Sequence, residues 1–299
     1  MAPIRWHYRP AIKNITDMKR IPTLAALLCV AAPLTAQSRL ETFTLHSDLL
    51  NADKACTVYL PDGYDGDTSR RYPVLYLLHG ASDTHTAWSE KGNVRQITDE
   101  AIAAGMACPM VIVMPDASGE GEHHTGKNMG YFDLPDWPYE RFFFEEFMPA
   151  IESRYRIIAD KRHRAIAGLS MGGGGTAVYA LHHPELFGSA CSMSGLLDVF
   201  PGPRNYDSKY KSAVELNSPA ALLRNMSDEE LEAVRSIRWW VDCGDDDFLW
   251  KCNVAFYSLM RERNVPLQYR MRDGGHTWRY WQTVLHDILT FFTVGFDEK

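Results

Sequence analysis

Apolar positions in this chain gather into short continuous runs, each closed by glycine or aspartate or by the turn that follows. Pro73–Gly80, Met110–Asp116, Ala165–Leu169, Gly188–Gly195 and Arg238–Gly244 are runs of this kind. Runs apolar at nearly every position, rather than at alternate ones, predict strands buried on both faces, as at the centre of a parallel sheet. Glu41–Leu49 and Ala55–Leu60 also read as strands, parted by the turn-like cluster Asn51–Lys54. Between the strands lie stretches with helical spacing, such as Val94–Ala104, and a last strand Leu267–Arg272 precedes a long helix ending near Phe292. This alternation predicts an α/β fold: a mostly parallel, doubly wound sheet with helices on both faces. The polar segment 198–236 breaks the rhythm and ends in an acidic helix around Asp228–Val234. It reads as an insertion over the carboxyl edge of the sheet, where ligands bind in such folds, and not as a second domain.

One junction carries chemistry. The run Ala165–Leu169 leads through Gly168-Leu169-Ser170-Met171-Gly172 and further glycines into a helix read over Thr176–His183, stopped by Pro184. A G-x-S-x-G sequence between a buried strand and a helix makes a nucleophile elbow: a sharp turn lifts the serine hydroxyl clear, and the glycines permit close backbone approach. Ser170 is the candidate nucleophile; an inert serine in a glycine-rich turn is the plainer alternative.

Charge and the amino terminus narrow the setting. The formal net charge is −7, and the first 36 residues are basic, so the remainder is more acidic still. An acidic body without a basic run argues against nucleic acid and against anionic membrane surfaces as partners. From Met18 the order is Met-Lys-Arg, an apolar core Leu24–Ala32, and Pro33-Leu34-Thr35-Ala36, which matches a secretory signal peptide cleaved after Ala36. The core is too short to span a bilayer. The expected division is therefore 1–36, upstream residues and signal, and 37–299, one domain exported to the periplasm or medium. Of the five later cysteines, Cys56, Cys191 and Cys243 lie in strands and read as small core residues. No Cys/His set has zinc spacing, so neither a metal nor another cofactor is expected.

A serine hydroxyl needs a base, and the base needs an orienting carboxylate; in hydrolases built on an elbow these follow in the order Ser, Asp/Glu, His. His276, in Asp273-Gly274-Gly275-His276, follows the last strand and heads the last helix. The acid belongs after the preceding strand, where Asp245, Asp246 and Asp247 stand together. Adjacent carboxylates repel, so one is expected to point inward, and Asp247 is favoured over the other two. Oxyanion donors are expected from the N–H of Met171, after the nucleophile, and of Ala81, after the His79-Gly80 strand. His79 precedes the elbow and is assigned a packing role.

These residues resemble the putative-esterase branch of the α/β-hydrolases, which includes feruloyl and acetyl-xylan esterases, S-formylglutathione hydrolases and mycolyltransferases. The resemblance rests on Leu77–Gly80, Trp88, the helix Phe142–Tyr155, Gly168–Gly173, Pro184–Phe187, Cys243–Leu249 and Gly275–Trp278, and runs from about Phe43 to the end. It implies that the acid is the third residue after Gly244, which is Asp247. It further implies a serine carboxylesterase acting on acyl esters of carbohydrates or small esters, with no cofactor, and leaves the oligomeric state open. Trp88, Tyr131, Phe132, Trp137 and Trp278 lie in or near the loops at the site and are candidates to stack on a hydroxycinnamoyl ring or a sugar face; core packing is the plainer role for each. Two other readings stand beside this one: an acyltransferase using the same triad, and an inactive carbohydrate-binding protein on a hydrolase fold.

Overall fold

The computed structural model describes residues 37–119, 130–198 and 208–297. The signal-like segment and the polar loop Glu120–Gly126 lie outside the described residues, Gly126 being followed by three more. Eight strands form one sheet: β1 (Arg39–Ser47), β2 (Ala52–Leu60), β3 (Val74–Leu78), β4 (Val111–Pro115), β5 (Arg164–Leu169), β6 (Ser189–Met193), β7 (Arg238–Gly244) and β8 (Leu267–Arg272). Their spatial order is β1-β2-β4-β3-β5-β6-β7-β8. Strands β1, β2 and β4 pair antiparallel, and every pairing from β4 through β3 to β8 is parallel.

The continuous apolar runs are the inner strands. All five residues of β3, β4 and β6, and all six of β5, are buried. Alternate side chains along each strand feed opposite cores. Val74, Tyr76 and Leu78 join one core with Phe142, Phe143, Tyr179 and Phe256; Leu75 and Leu77 join the other with Ile97, Trp281, Leu285 and Phe292. The second face is covered by α1 (Val94–Ala103) and α8 (Trp278–Asp297). The first is covered by a helical stretch from Tyr139 ending in α2 (Met148–Arg154), and by α3 (Met171–His182), α5 (Pro219–Asn225), α6 (Asp228–Arg235) and α7 (Trp250–Glu262). Outer strands alternate instead: β1 has the burial pattern of a sheet edge, half-buried and exposed in turn.

Three boundaries differ from the expectations. The first turn lies at 48–51, with Asn51 left-handed at φ 47°, so β2 already begins at Ala52. Segment 198–236 is largely helical where described: α4 (Ser208–Leu216), α5 and α6. The helix α6 carries a reciprocal cap, Ser227 accepting from the Glu230 N–H while the Glu230 carboxylate accepts from the Ser227 N–H. Finally, α3 starts at Met171, not at Thr176, and contains all four glycines 172–175. Four glycines in a helix forfeit about 1 kcal/mol each relative to alanine. Packing explains them: a Cβ on Gly172 would lie 2.5 Å from the His79 carbonyl oxygen, and one on Gly173 2.7 Å from Gly195 Cα. Helix α3 thus lies backbone to backbone on the ends of β3 and β6. Among the described residues no helix is long and apolar enough to cross a membrane, and all five cysteines carry free thiols.

Candidate active site

The turn after β5 is strained where the motif predicts. Ser170 has φ 56° and ψ −116°, a region that costs a non-glycine residue about 1–3 kcal/mol. Backbone bonds hold it there: the Ser170 N–H donates to Met193 O at 2.9 Å, and its carbonyl accepts from Gly174 and Leu196, both at 3.0 Å.

Ser170, His276 and Asp247, far apart in sequence, are brought together. Ser170 Oγ lies 3.0 Å from His276 Nε2, and His276 Nδ1 lies 2.8 and 3.0 Å from the two Asp247 oxygens. Asp247 is fully buried, whereas Asp245 and Asp246 face solvent. Burial alone pushes the Asp247 carboxyl up; hydrogen bonds from His276 and the Leu249 N–H outweigh it and hold the group below the usual carboxylate range. An ionised carboxylate only accepts, so the imidazole proton sits on Nδ1 and Nε2 is free to accept from the serine hydroxyl.

The oxyanion candidates flank the same hydroxyl. Met171 is the first residue of α3, where a helix N–H has no partner within the helix. Gly80 abuts the elbow, since a Cβ there would lie 3.5 Å from Ser170 Cβ, and Ala81 follows it in the exposed loop. His79 braces this loop: Ala117 N–H donates to its Nε2 at 2.9 Å, so its Nδ1–H donates to Gly80 O at 2.8 Å. Beneath it Lys54 Nζ donates to Ser118 O at 2.7 Å and lies 4.0 Å from Asp116. Burial pushes the Asp116 carboxyl up, but the Lys54 ammonium and the hydrogen bonds from the Ser118 N–H and hydroxyl overcome that and hold it at about 2. A carboxyl depressed in the fold stabilises above its unfolded pKa and loses that contribution as pH falls through the folded value. Asp116→Asn is therefore expected to lower the melting temperature at pH 5–7, with the gap to wild type closing by about pH 2. A gap independent of pH, followed by circular dichroism, would contradict the ion cluster.

The aromatic expectations are corrected in part. Trp88, Tyr131 and Trp137 are 0, 1 and 2% exposed and offer no face to a ligand. Trp88 Nε1 donates to Leu78 O and the Tyr131 hydroxyl to His79 O, both at 3.0 Å, so these two tie down the end of β3 that carries the oxyanion loop. Lys54 lies 5.6 Å over the Trp137 ring. Trp278 is half-buried, edge-on to Trp88 and Trp281, and Trp281 meets the His276 ring edge-on at 4.8 Å. Phe248, which the sequence reading passed over, is 65% exposed with its ring centroid 4.4 Å from that of His276. Carboxylate oxygens of Asp245, Asp246 and Asp273 lie within 4.8 Å of one another on the exposed rim. Exposed acidic groups of this kind occur without an ion, and no role is assigned to them.

A sheet of this order, with a strained serine in a glycine-flanked turn after its fifth strand, defines an α/β-hydrolase. A family model described as "Putative esterase" matches residues 47–292, and the chain belongs to that family. A solved ferulic acid esterase is 43% identical, with a TM-score of 0.82 over 88% of this chain and all of that one. An endo-1,4-beta-xylanase/feruloyl esterase of Xylanibacter ruminicola is 35% identical over 159 residues, 52% of this chain but 21% of that protein. An acetyl esterase of Caldicellulosiruptor saccharolyticus is 25% identical over 71% of this chain and 80% of its own.

Proposed function

We propose that this chain is an exported serine carboxylesterase that hydrolyses acyl esters of carbohydrates, with feruloyl and acetyl groups as the acyl classes. The observation that carries the reading is the hydrogen-bonded series Ser170 Oγ, His276 Nε2, His276 Nδ1, Asp247. Its likeness to a ferulic acid esterase across the whole of that chain supports the substrate class. Ser170 Oγ attacks the ester carbonyl as its proton passes to His276 Nε2. Asp247 holds the imidazole tautomer and stabilises the imidazolium, while the Met171 and Ala81 N–H groups receive the oxyanion. Imidazolium then protonates the departing alcohol oxygen. Water, giving its proton to His276, cleaves the acyl-serine and frees the acid.

The departing oxygen must lie beside His276 Nε2, so whatever the alcohol carries emerges next to the ring covering that imidazole. Phe248 is that ring, and it replaces the buried aromatics as the group to meet the sugar. The test is a panel of methyl ferulate, a feruloylated arabinose ester, acetylated xylan and a short triglyceride, with release of acid followed by chromatography. Ferulate or acetate should be released from the sugar esters faster than fatty acid from the triglyceride. Phe248→Ala should lower kcat/KM on the sugar ester at least about fivefold more than on methyl ferulate, whose alcohol has no ring to stack. No release from any carbohydrate ester would overturn the substrate class.

A further inference from the structure

We propose that Asp245 is a positioning residue: its carboxylate holds the main chain of the base loop two residues before His276, as the Asp247 carboxylate holds the imidazole itself. This rests on the triad reading above and extends it to a residue that touches neither the substrate nor the reacting groups.

The loop that carries His276 follows β8, the outermost strand, so within the sheet it has a neighbour on one side, the acid loop after β7. Strands β7 and β8 pair in parallel as far as Gly244 and Arg272. The pairing continues past the strand ends, where the Asp245 N–H donates to Arg272 O at 3.0 Å. From that position the exposed Asp245 carboxylate accepts from the Gly274 N–H at 3.1 Å. The Asp246 N–H donates to Gly274 O at 3.0 Å. Both polar groups of Gly274 are thus held from the acid loop.

Gly274 is where such a hold is needed. Its φ of 141° belongs to glycine, whose freedom leaves the direction of the chain to be set by outside contacts. Packing closes the remaining sides: a Cβ on Gly244 would run into Gly274 O, and one on Gly274 would lie 2.6 Å from the Tyr280 ring. The Tyr280 hydroxyl in turn donates to the buried Asp242 carboxylate of β7. Beyond Gly274 the turn is closed by the Thr277 N–H, which donates to Gly275 O at 2.8 Å, and His276 stands between those two residues. Direction fixed at Gly274 therefore reaches the imidazole, which must meet Ser170 on one side and Asp247 on the other. Each of the three consecutive aspartates then has a different part. Asp247 orients the ring, Asp245 holds the main chain that bears it, and Asp246 serves through an N–H that any residue but proline supplies. A charged acceptor makes the Asp245 bond stronger than a neutral pair would be, and solvent exposure trims that gain.

Asp245 faces solvent, so Asp245→Ala leaves the core intact and should melt within about 2 °C of wild type. Its kcat on methyl ferulate should fall about 5- to 20-fold with KM within about twofold, because a displaced imidazole loses its line to Ser170 while substrate binding is untouched. Asp245→Asn keeps an acceptor oxygen in the same place without the charge, and should return kcat to within about threefold of wild type. Asp273→Ala removes a carboxylate whose oxygen lies within 4.8 Å of that of Asp245 but makes no bond to Gly274 N–H. Its kcat should stay within about twofold of wild type. Full kcat in Asp245→Ala overturns the proposal. So does an Asp245→Asn protein no faster than Asp245→Ala, or an equal loss in Asp273→Ala, since either assigns the effect to negative charge on the rim and not to the bond. A loss that tracks a fallen melting temperature, with KM raised alongside, overturns it as well. If Ser170→Ala is also fully active, the triad reading has failed first; if it is inactive while Asp245→Ala is not, this inference fails alone.

Discussion

Ser170→Ala is expected to lower kcat on methyl ferulate by at least about a thousandfold and to abolish labelling by a fluorophosphonate probe. The reasoning starts from what the substitution leaves in place. His276 and Asp247 keep their bond, and the proposed oxyanion donors, the Met171 and Ala81 N–H groups, are untouched. What goes is the oxygen that the elbow holds 3.0 Å from His276 Nε2. Alanine also keeps a Cβ at φ 56°, so the strain of the turn persists and the melting temperature should stay close to wild type. Loss of activity without loss of folding is therefore the signature. A well-folded Ser170→Ala protein that hydrolyses the ester at the wild-type rate would remove the mechanism.

Much of this arrangement was legible in the chain, and the reason is local. Inner strands such as Val111–Pro115 are apolar on both faces, so their run stands out against any helix pattern. The elbow was legible because its glycines serve a steric need: a Cβ on Gly168 would run into the Gly172 carbonyl, and one on Gly80 would lie 2.6 Å from Leu169 Cδ1. His276 and Asp247 were found by chain order, since loops after parallel strands return to one edge of the sheet. Asp247 was favoured over its neighbours as the one carboxylate expected to point inward, and the family resemblance singled it out; nothing in three consecutive aspartates says which one the Leu249 N–H will hold.

What was missed depends on contacts between distant segments. The aromatics near the site were read as a ligand surface because an exposed tryptophan and a buried one look alike in sequence. Trp88 is buried because its indole N–H meets Leu78 O, ten residues earlier, and its ring meets Trp278 at the other end of the chain. The start of α3 was misplaced because glycine lowers helix propensity, and sequence alone cannot show that another backbone lies 2.5 Å from where a side chain would be.

That last contact makes Gly172→Ala the substitution with the largest expected effect on folding. By propensity alone alanine would stabilise α3 by about 1 kcal/mol. Against this, its Cβ would lie 2.5 Å from the His79 carbonyl oxygen and 2.7 Å from that of Leu78. Both are backbone atoms of the sheet, so no rotamer change relieves the overlap, and the cost belongs at the upper end of overpacking, about 3 kcal/mol or more. The melting temperature should fall by roughly 6–12 °C. Gly66→Ala, whose Cβ would meet nothing nearer than Gly63 O at 3.6 Å, should change it little. Folded Gly172→Ala protein should also be slow. The helix can escape the overlap only by pushing the end of β3 away, and Gly80 and Ala81 move with it while Met171 stays with α3. Two oxyanion donors that part by about 1 Å no longer converge on one oxygen, which is worth about a hundredfold in kcat. A Gly172→Ala protein with unchanged melting temperature and rate would mean that the α3–β3 contact sets neither the fold nor the spacing of those donors.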